Sequence, residues 1–541
     1  MAVLFPMLLI NPPVVRICEP PPGIVKLASF LRERNVECRI LDAGLEGILD
    51  IFQSPSIKTL TSLPSETWSR RAVKGVDRNL ALLKSERGYT NFDRYSRAVN
   101  DLQKALSIMG RGTVSSRPGI KIGLANYEDE HYSPLSAAEL AGAAEDFRAN
   151  PFYTYYKKRI PEVLADFNCE VIGLSINFLS QVVCAFALIG YLRDAYPHKK
   201  IILGGGLVTS WIRQGIIPEE HNFGGLVDGM LPGRGEETLM GWLGLKDESA
   251  GQSDKRIDRN SSGTLHLPPF DELPLDSYLS PGRTLPWNLT SGCAWRRCTF
   301  CPEKAEGTCF YSEPLKRGIE ALGDMSSILR PALIHLTDNE IPPAFLKELI
   351  RRPPGAGWYG FCRFNSLLED PGFCRDLAAS GCVMLQLGLE SGEQSVLDAL
   401  AKGTRVENNI KILENLKVAG IGTFVYLLFG TPAEDLRAAR KTLALVQSNI
   451  DLMDFLNLAI FNLPISSELA SELDTNEFYA GDLSLYSEFV HPGGWNRGDV
   501  RRFLSGEFMA DPKVRKTVNA TPPVFTSNHA PFLLKAVSPV P

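Results

Sequence analysis

Three absences narrow what this sequence can be. No block of like charge stands out, since 57 Lys and Arg face 62 Asp and Glu for a formal net charge of -5. No basic stripe therefore advertises a nucleic acid or an anionic membrane surface. No apolar run is long enough to span a bilayer: the opening "MAVLFPMLLINPPVV" is cut by Pro6, Pro12 and Pro13 and has no basic leader, so it reads as a buried strand. No internal repeat is found, which excludes a solenoid. Without an export signal or a span, a cytoplasmic location is expected, where clustered thiols bind metal more often than they pair.

At 541 residues, 44% of them hydrophobic, the chain needs more than one core. Residues 1–245 alternate apolar runs with helical periodicity: strands at 3–13, 36–44, 169–177 and 199–206, with helices at 23–34 and from 180. Uninterrupted apolar strands separated by helices predict a doubly wound parallel sheet. A polar, Ser- and Arg-rich insertion occupies about 46–150, and residues 246–280 read as a linker. Residues 281–480 offer six further strands, at 284–292, 332–339, 358–364, 383–391, 422–430 and 453–464, which predict a partial β/α barrel with its function at the strands' C-terminal ends. Residues 481–541 read as a C-terminal cap; if they fold over the barrel mouth instead, His491, Trp495, Arg497, His529 and Phe532 would reach a substrate.

The eleven cysteines are unevenly placed. Cys18, Cys38, Cys169, Cys184, Cys362, Cys374 and Cys382 lie singly in apolar or helical contexts and read as small buried hydrophobes. Cys293, Cys298 and Cys301 share the segment "SGCAWRRCTFCPE" directly after the first strand of the second region. Three thiolates suit a cubane iron-sulfur cluster with one iron open to a substrate. A closed zinc site would need a fourth donor, for which Cys309 is the near candidate, and unligated thiols are the third reading.

Polar residues and glycines also follow the strands of the first region: Asn11, Asp42, Ser175, Asn177, Gly204, Gly205, Gly206, Gly235 and Glu236. In an open parallel sheet that edge is where a cofactor sits. The "DEHYSP" string places His131 in the insertion, where it reads as a surface histidine.

The loop "CAWRRCTFC" resembles the cluster motif of the radical S-adenosylmethionine (radical SAM) superfamily, with four residues instead of the usual three between the first two cysteines. "LGLESG" followed by "EQSVLDALAKGT" is similar to the fourth-strand segment of its cobalamin-linked branch, and "PPPGIVKLASFLRERNVECRILDAG" with "IILGGGLVTS" and "DGMLPGRGEETL" resembles that branch's cobalamin-binding domain. The resemblance covers about two-thirds of the chain. It implies a Rossmann-like cobalamin domain ahead of a partial (β/α)6 barrel, a 4Fe-4S cluster on Cys293, Cys298 and Cys301, and S-adenosylmethionine beside Asp338, Glu340, Arg363, Glu390, Ser391 and Gly430. The polar strand ends of the first region would face cobalamin, and Tyr426 would be a candidate hydrogen donor or acceptor.

The implied activity is reductive cleavage of S-adenosylmethionine to a 5′-deoxyadenosyl radical, leading to cobalamin-dependent methyl transfer to an unactivated carbon. A flavodoxin- or ferredoxin-like electron donor and a small-molecule or peptide substrate would be the partners. Cobalamin-dependent radical ring contraction or cyclisation without methylation is the alternative, and a third possibility keeps the barrel chemistry with no cobalamin in the first region. A zinc-stabilised, non-enzymatic binding protein is the reading from a different class.

Overall fold

A computed structural model describes residues 6–53, 67–109, 118–244, 268–525 and 528–534. Most of the expected linker, and parts of the insertion and the tail, lie outside the described residues. The chain divides into two compact units, 1–82, 97–279 and 480–484 against 83–96, 280–479 and 485–541. The described part of the expected linker, 268–279, runs with the first unit, while residues 83–96, which the sequence pattern assigns to the insertion, belong to the second.

The first unit holds five parallel strands: β1 Met7–Asn11, β2 Cys38–Asp42, β3 Val171–Ser175, β4 Lys200–Gly204 and β5 Gly229–Leu231, in the order β2-β1-β3-β4-β5. Each core strand is an unbroken apolar run because both faces are covered; Met7, Leu8, Ile10, Ile172, Ile201 and Leu203 are fully buried. Parallel neighbours need crossovers, which the helices Pro22–Arg32, Leu179–Ala195 and Gly206–Arg213 supply. Growth reverses direction between β1 and β3, and such a switch point opens a crevice at the strands' C-terminal ends. The helix Leu179–Ala195 is buried without a break from Gln181 to Leu192, as expected of one that is apolar all round. Gly190 lets it touch the helix Ala137–Glu145: a Cβ there would stand 1.8 Å from the Ala144 carbonyl oxygen.

In the second unit six parallel strands follow in simple succession: β6 Thr284–Trp287, β7 Leu333–Leu336, β8 Gly357–Cys362, β9 Cys382–Glu390, β10 Gly422–Phe429 and β11 Phe455–Ile460. Helices intervene at each step; Leu436–Asn449, for example, is started by Asp435, whose carboxylate accepts from the Ala438 N–H at 2.7 Å. Near the strands' N-terminal ends Leu333, Tyr359, Met384, Phe424 and Phe455 form one core with Ala530, and Phe532, Leu533 and Leu534 pack against it. His529 is fully buried between Phe424 and Phe455, at ring distances of 4.0 and 4.7 Å. This end of the tail plugs the sheet at its N-terminal end, opposite the mouth. Phe532 also stacks on Tyr89, Phe92 and Tyr95, which draws residues 83–96 into this unit. Among the described residues no helix is long and apolar enough to cross a membrane.

The helix contact yields a stability prediction. Gly190→Val should cost ~1–3 kcal/mol or more through overpacking, read as a lower thermal midpoint for the first unit. A parent-like midpoint would show that the two helices do not meet at this position.

Candidate cofactor site at the cysteine loop

The loop after β6 has little secondary structure and is held by side chains beneath it. Asp338, just past β7 and 1% exposed, accepts from the Leu289 N–H at 3.0 Å, the Thr290 N–H at 2.5 Å and the Thr290 hydroxyl at 2.6 Å. The bridge Thr290–Ser291 then pairs with Tyr311–Ser312. Gly292, at φ +71°, lets the chain pass the Cys309 carbonyl, where a Cβ would approach to 2.8 Å. This turn delivers Cys293.

Cys293 donates its S–H to Glu340 Oε2 at 3.3 Å, and Cys298, 8% exposed, lies 3.7 Å from Arg363 Nη1. Cys301 opens the short helix Pro302–Ala305 and donates its N–H to the Cys298 carbonyl at 3.3 Å. Burial raises the thiol pKa of Cys293 and of Cys301; backbone N–H groups of Arg296 and Trp295 oppose this at the first, and those of Lys304 and Glu303 at the second. Burial likewise raises the Glu340 carboxyl, against the pull of its Cys293 hydrogen bond and of Arg363 and Lys402. Among the described residues no three His, Cys, Asp or Glu side chains close on a single metal position. A cubane asks for a different arrangement, since each thiolate anchors a different iron and the ligands stand apart around the cluster. Three cysteines on one partly open loop, each meeting N–H donors or a carboxyl, fit that demand in donor chemistry. Cys309 is exposed, with its sulfur 4.0 Å from the Gly307 carbonyl. The seven isolated cysteines are buried.

The end of β9 carries a second charged group. A register shift separates Gly388 from Glu390, and Glu390 takes φ +62°, a left-handed conformation rare for a residue with a side chain. Its carboxylate meets Lys402 Nζ at 2.6 Å, both side chains about nine-tenths buried. A Cβ on Gly388 would stand 2.4 Å from the Glu390 carboxylate and 2.6 Å from Lys402 Nζ, so this glycine makes room for the ion pair. Lys402 escapes sequence reasoning because it pairs across the intervening helix; the only local sign is the turn at Gly403, φ +72°.

At the end of β10, Gly430, φ +74°, donates its N–H to buried Glu434 at 2.5 Å, and Trp495 Nε1 donates to the same oxygen at 3.2 Å. Among the described residues the other Glu434 oxygen has no hydrogen-bond partner, and burial pushes the carboxyl up to about 7. His491 Nδ1 accepts from the Gly493 and Trp495 N–H groups, so Nε2 carries the proton and donates to the Thr431 carbonyl at 2.9 Å. His491 and Trp495 thus brace the β10 turn near the mouth, while His529 and Phe532 lie at the far end.

Several expected contact residues are held by neighbouring groups. Asp338 holds the loop. Ser391 is fully buried, its hydroxyl 3.2 Å from that of Thr442. Arg363 is held by Cys298, by the Lys402 carbonyl and by the Trp295 ring. Tyr426 packs on Phe361 and Phe424 and accepts from Gln386 Nε2 at 3.3 Å. In the first unit, Asn11 and Asp42 are buried and bonded to each other at 2.8 Å, with Tyr278 and the Gly44 and Leu45 N–H groups completing the Asp42 shell and Gln181 donating to Asn11. Ser175, Asn177 and Gly204–Gly206 do gather at the ends of β3 and β4: Asn177 donates to Ser175 Oγ at 3.1 Å and accepts from the Gly206 N–H at 2.9 Å. Gly205, φ +106°, is required there, since a Cβ would meet the Ile176 carbonyl at 2.4 Å. Gly235 and Glu236 open the helix after β5. His131 is a surface residue beside Asp129.

Two measurements check these groups. Lys402→Met leaves a buried carboxylate unpaired and should destabilise the second unit by ~3–5 kcal/mol, whereas adding Glu390→Gln should recover most of the loss; equal denaturant midpoints for single and double variants would contradict the buried pair. For Glu434, the folded pKa lies above the ordinary value of 4.5, so its contribution is complete below about pH 4.5 and is lost as pH rises toward 7. Glu434→Gln should remove a fall of about 3 kcal/mol across that window, and an unchanged pH-stability slope would refute the assignment.

Residues 287–446 match the family model described as the radical SAM superfamily. An uncharacterized methyltransferase of Pyrococcus horikoshii is 22% identical over 325 residues, which cover 55% of this chain and 68% of that protein. An anaerobic magnesium-protoporphyrin IX monomethyl ester cyclase of Rubrivivax gelatinosus is 22% identical over 310 residues, 51% of this chain and 54% of the cyclase. Among solved structures, the radical S-adenosylmethionine methyltransferase TsrM of Kitasatospora setae, with cobalamin and a 4Fe-4S cluster bound, superposes at a TM-score of 0.53 with 15% identity, over 95% of this chain and 92% of that one. Residues 287–446 of the chain are thus similar to the radical SAM superfamily, and the chain shares the α/β fold of parallel sheets with TsrM.

Proposed function

We propose that this chain is a radical SAM enzyme holding a 4Fe-4S cluster through Cys293, Cys298 and Cys301, and that it uses cobalamin to transfer a methyl group to an unactivated carbon. The observation that carries this reading is the coincidence of the radical SAM match over 287–446 with a three-cysteine loop directly after β6. The six strands in succession suit a partial (β/α)6 barrel, with the cysteines at the C-terminal ends where such barrels react. The strand order of the first unit suits a Rossmann-like cobalamin domain, and the pairing of that unit with a radical SAM domain is supported by the likeness to TsrM.

A cluster held by Cys293, Cys298 and Cys301 would supply the one-electron chemistry for reductive cleavage of S-adenosylmethionine. This chain's own residues bind and position. Asp338 fixes the loop that presents the thiols, Glu340 stands beside Cys293, and Glu390 with Lys402 forms a polar wall at the end of β9. The Gly430 turn, braced by Glu434, would offer its backbone to the adenine. For cobalamin the residues that remain are Ser175, Asn177, Gly204, Gly205, Gly206, Gly235 and Glu236; Asn11 and Asp42 act behind them. An external one-electron donor, flavodoxin- or ferredoxin-like, and a small-molecule or peptide substrate complete the reaction. Cobalamin-dependent cyclisation or ring contraction without methylation is the second reading, favoured by the likeness to the cyclase.

The full chain, reconstituted anaerobically and given dithionite with methyl-labelled S-adenosylmethionine, should release 5′-deoxyadenosine and methionine, and each of Cys293→Ala, Cys298→Ala and Cys301→Ala should lower release to background. Release that is absent from the parent, or unaffected by all three variants, would contradict the proposal. Label carried onto cobalamin would favour methyl transfer over the second reading.

A further inference from the structure

The four-residue spacer between Cys293 and Cys298 contains Trp295, and the structure shows where its ring goes. The indole N–H donates to the Ala401 carbonyl at 2.9 Å, and the ring lies on Gly403 so closely that a Cβ there would stand 2.2 Å from it. The Arg363 guanidinium lies over the same ring at 4.7 Å and that of Arg297 at 4.9 Å. Arg363 then extends to Cys298 Sγ at 3.7 Å, while its other terminal nitrogen donates to the Lys402 carbonyl and its Nε is 4.0 Å from Glu340. Ala401, φ +50°, and Gly403, φ +72°, give the receiving turn its shape. Residues far apart in sequence, on the cysteine loop, the end of β8 and the turn after β9, are thereby locked around one indole.

We infer that the extra spacer residue serves to seat Trp295 beneath Arg363, and that Arg363 is a positioning residue whose guanidinium on Cys298 raises the reduction potential of the cluster. The inference rests on the cluster reading above. Reduction adds one electron from the donor to the oxidised cluster, with no bond made or broken and no proton moved. The added negative charge is shared by the thiolate sulfurs, so an N–H donor and a fixed cation beside one of them favour the reduced form. Arginine suits this place because its charge is permanent, and its planar group can stack on the indole while donating from its edge.

The test uses the full chain, reconstituted anaerobically with iron and sulfide and titrated with dithionite while the reduced cluster is followed by electron paramagnetic resonance. Arg363→Gln and Trp295→Ala should keep the parent's iron and sulfide content, yet at the parent's midpoint show a reduced-to-oxidised ratio about tenfold lower, which is ~59 mV for one electron. Arg363→Lys should fall between them and the parent, and Trp295→Phe, which keeps a ring for stacking, should stay near the parent. A merely structural role would change iron retention without moving the midpoint. An unshifted midpoint in Arg363→Gln with full cluster content would overturn the inference. A parent that takes up no iron would refute the cluster reading, and this inference with it.

Discussion

The Asp338 carboxylate beneath the loop after β6 is the constraint on which the rest of the candidate site depends. A loop that must present three thiols cannot bond its own backbone as a strand or helix does, so its orientation has to come from outside. Asp338 supplies it with three hydrogen bonds to Leu289 and Thr290, in a buried place where each is strengthened by the low local dielectric. From that fixed point the chain turns at Gly292, delivers Cys293 to Glu340, and carries Trp295 onto the turn at 401–403.

Charge is the second organising feature. Glu340, Arg363, Glu390 and Lys402 bring two negative and two positive groups to the ends of β7, β8 and β9, all largely removed from water. Isolated charges would be untenable there, but a balanced set is tolerated because each has an opposite partner. The strained backbone at Glu390 and the crowded Gly388 show that the fold accepts local cost to keep its pair in place.

The two sheets were legible in the sequence because their strands are unbroken apolar runs, and burial on both faces leaves that pattern no alternation to hide in. Strand ends were read too long: 284–292 stops as a strand at Trp287 because the loop beyond bends to meet Asp338. The cysteine triplet was legible from spacing alone. Lys402 with Glu390, Trp295 with Gly403, and Glu434 with Trp495 were not, since each interaction joins segments 12 to 108 positions apart in a way no periodicity records. Asn11 and Asp42 mark a different limit: polar residues at strand ends can bind a ligand or brace the loops that do, and only coordinates show that these two are bonded to each other. The tail divides similarly, with His491 and Trp495 near the mouth and His529 with Phe532 at the plug.

Metal and sulfide analysis of the anaerobically prepared full chain bears most directly on what the cysteine loop is for. About four irons and four acid-labile sulfides per chain, lost together when Cys298 is replaced, are expected of a cubane held by three thiolates. One tightly held zinc with no iron and no sulfide would show instead a closed structural site, and would remove the chemical basis of the proposed activity.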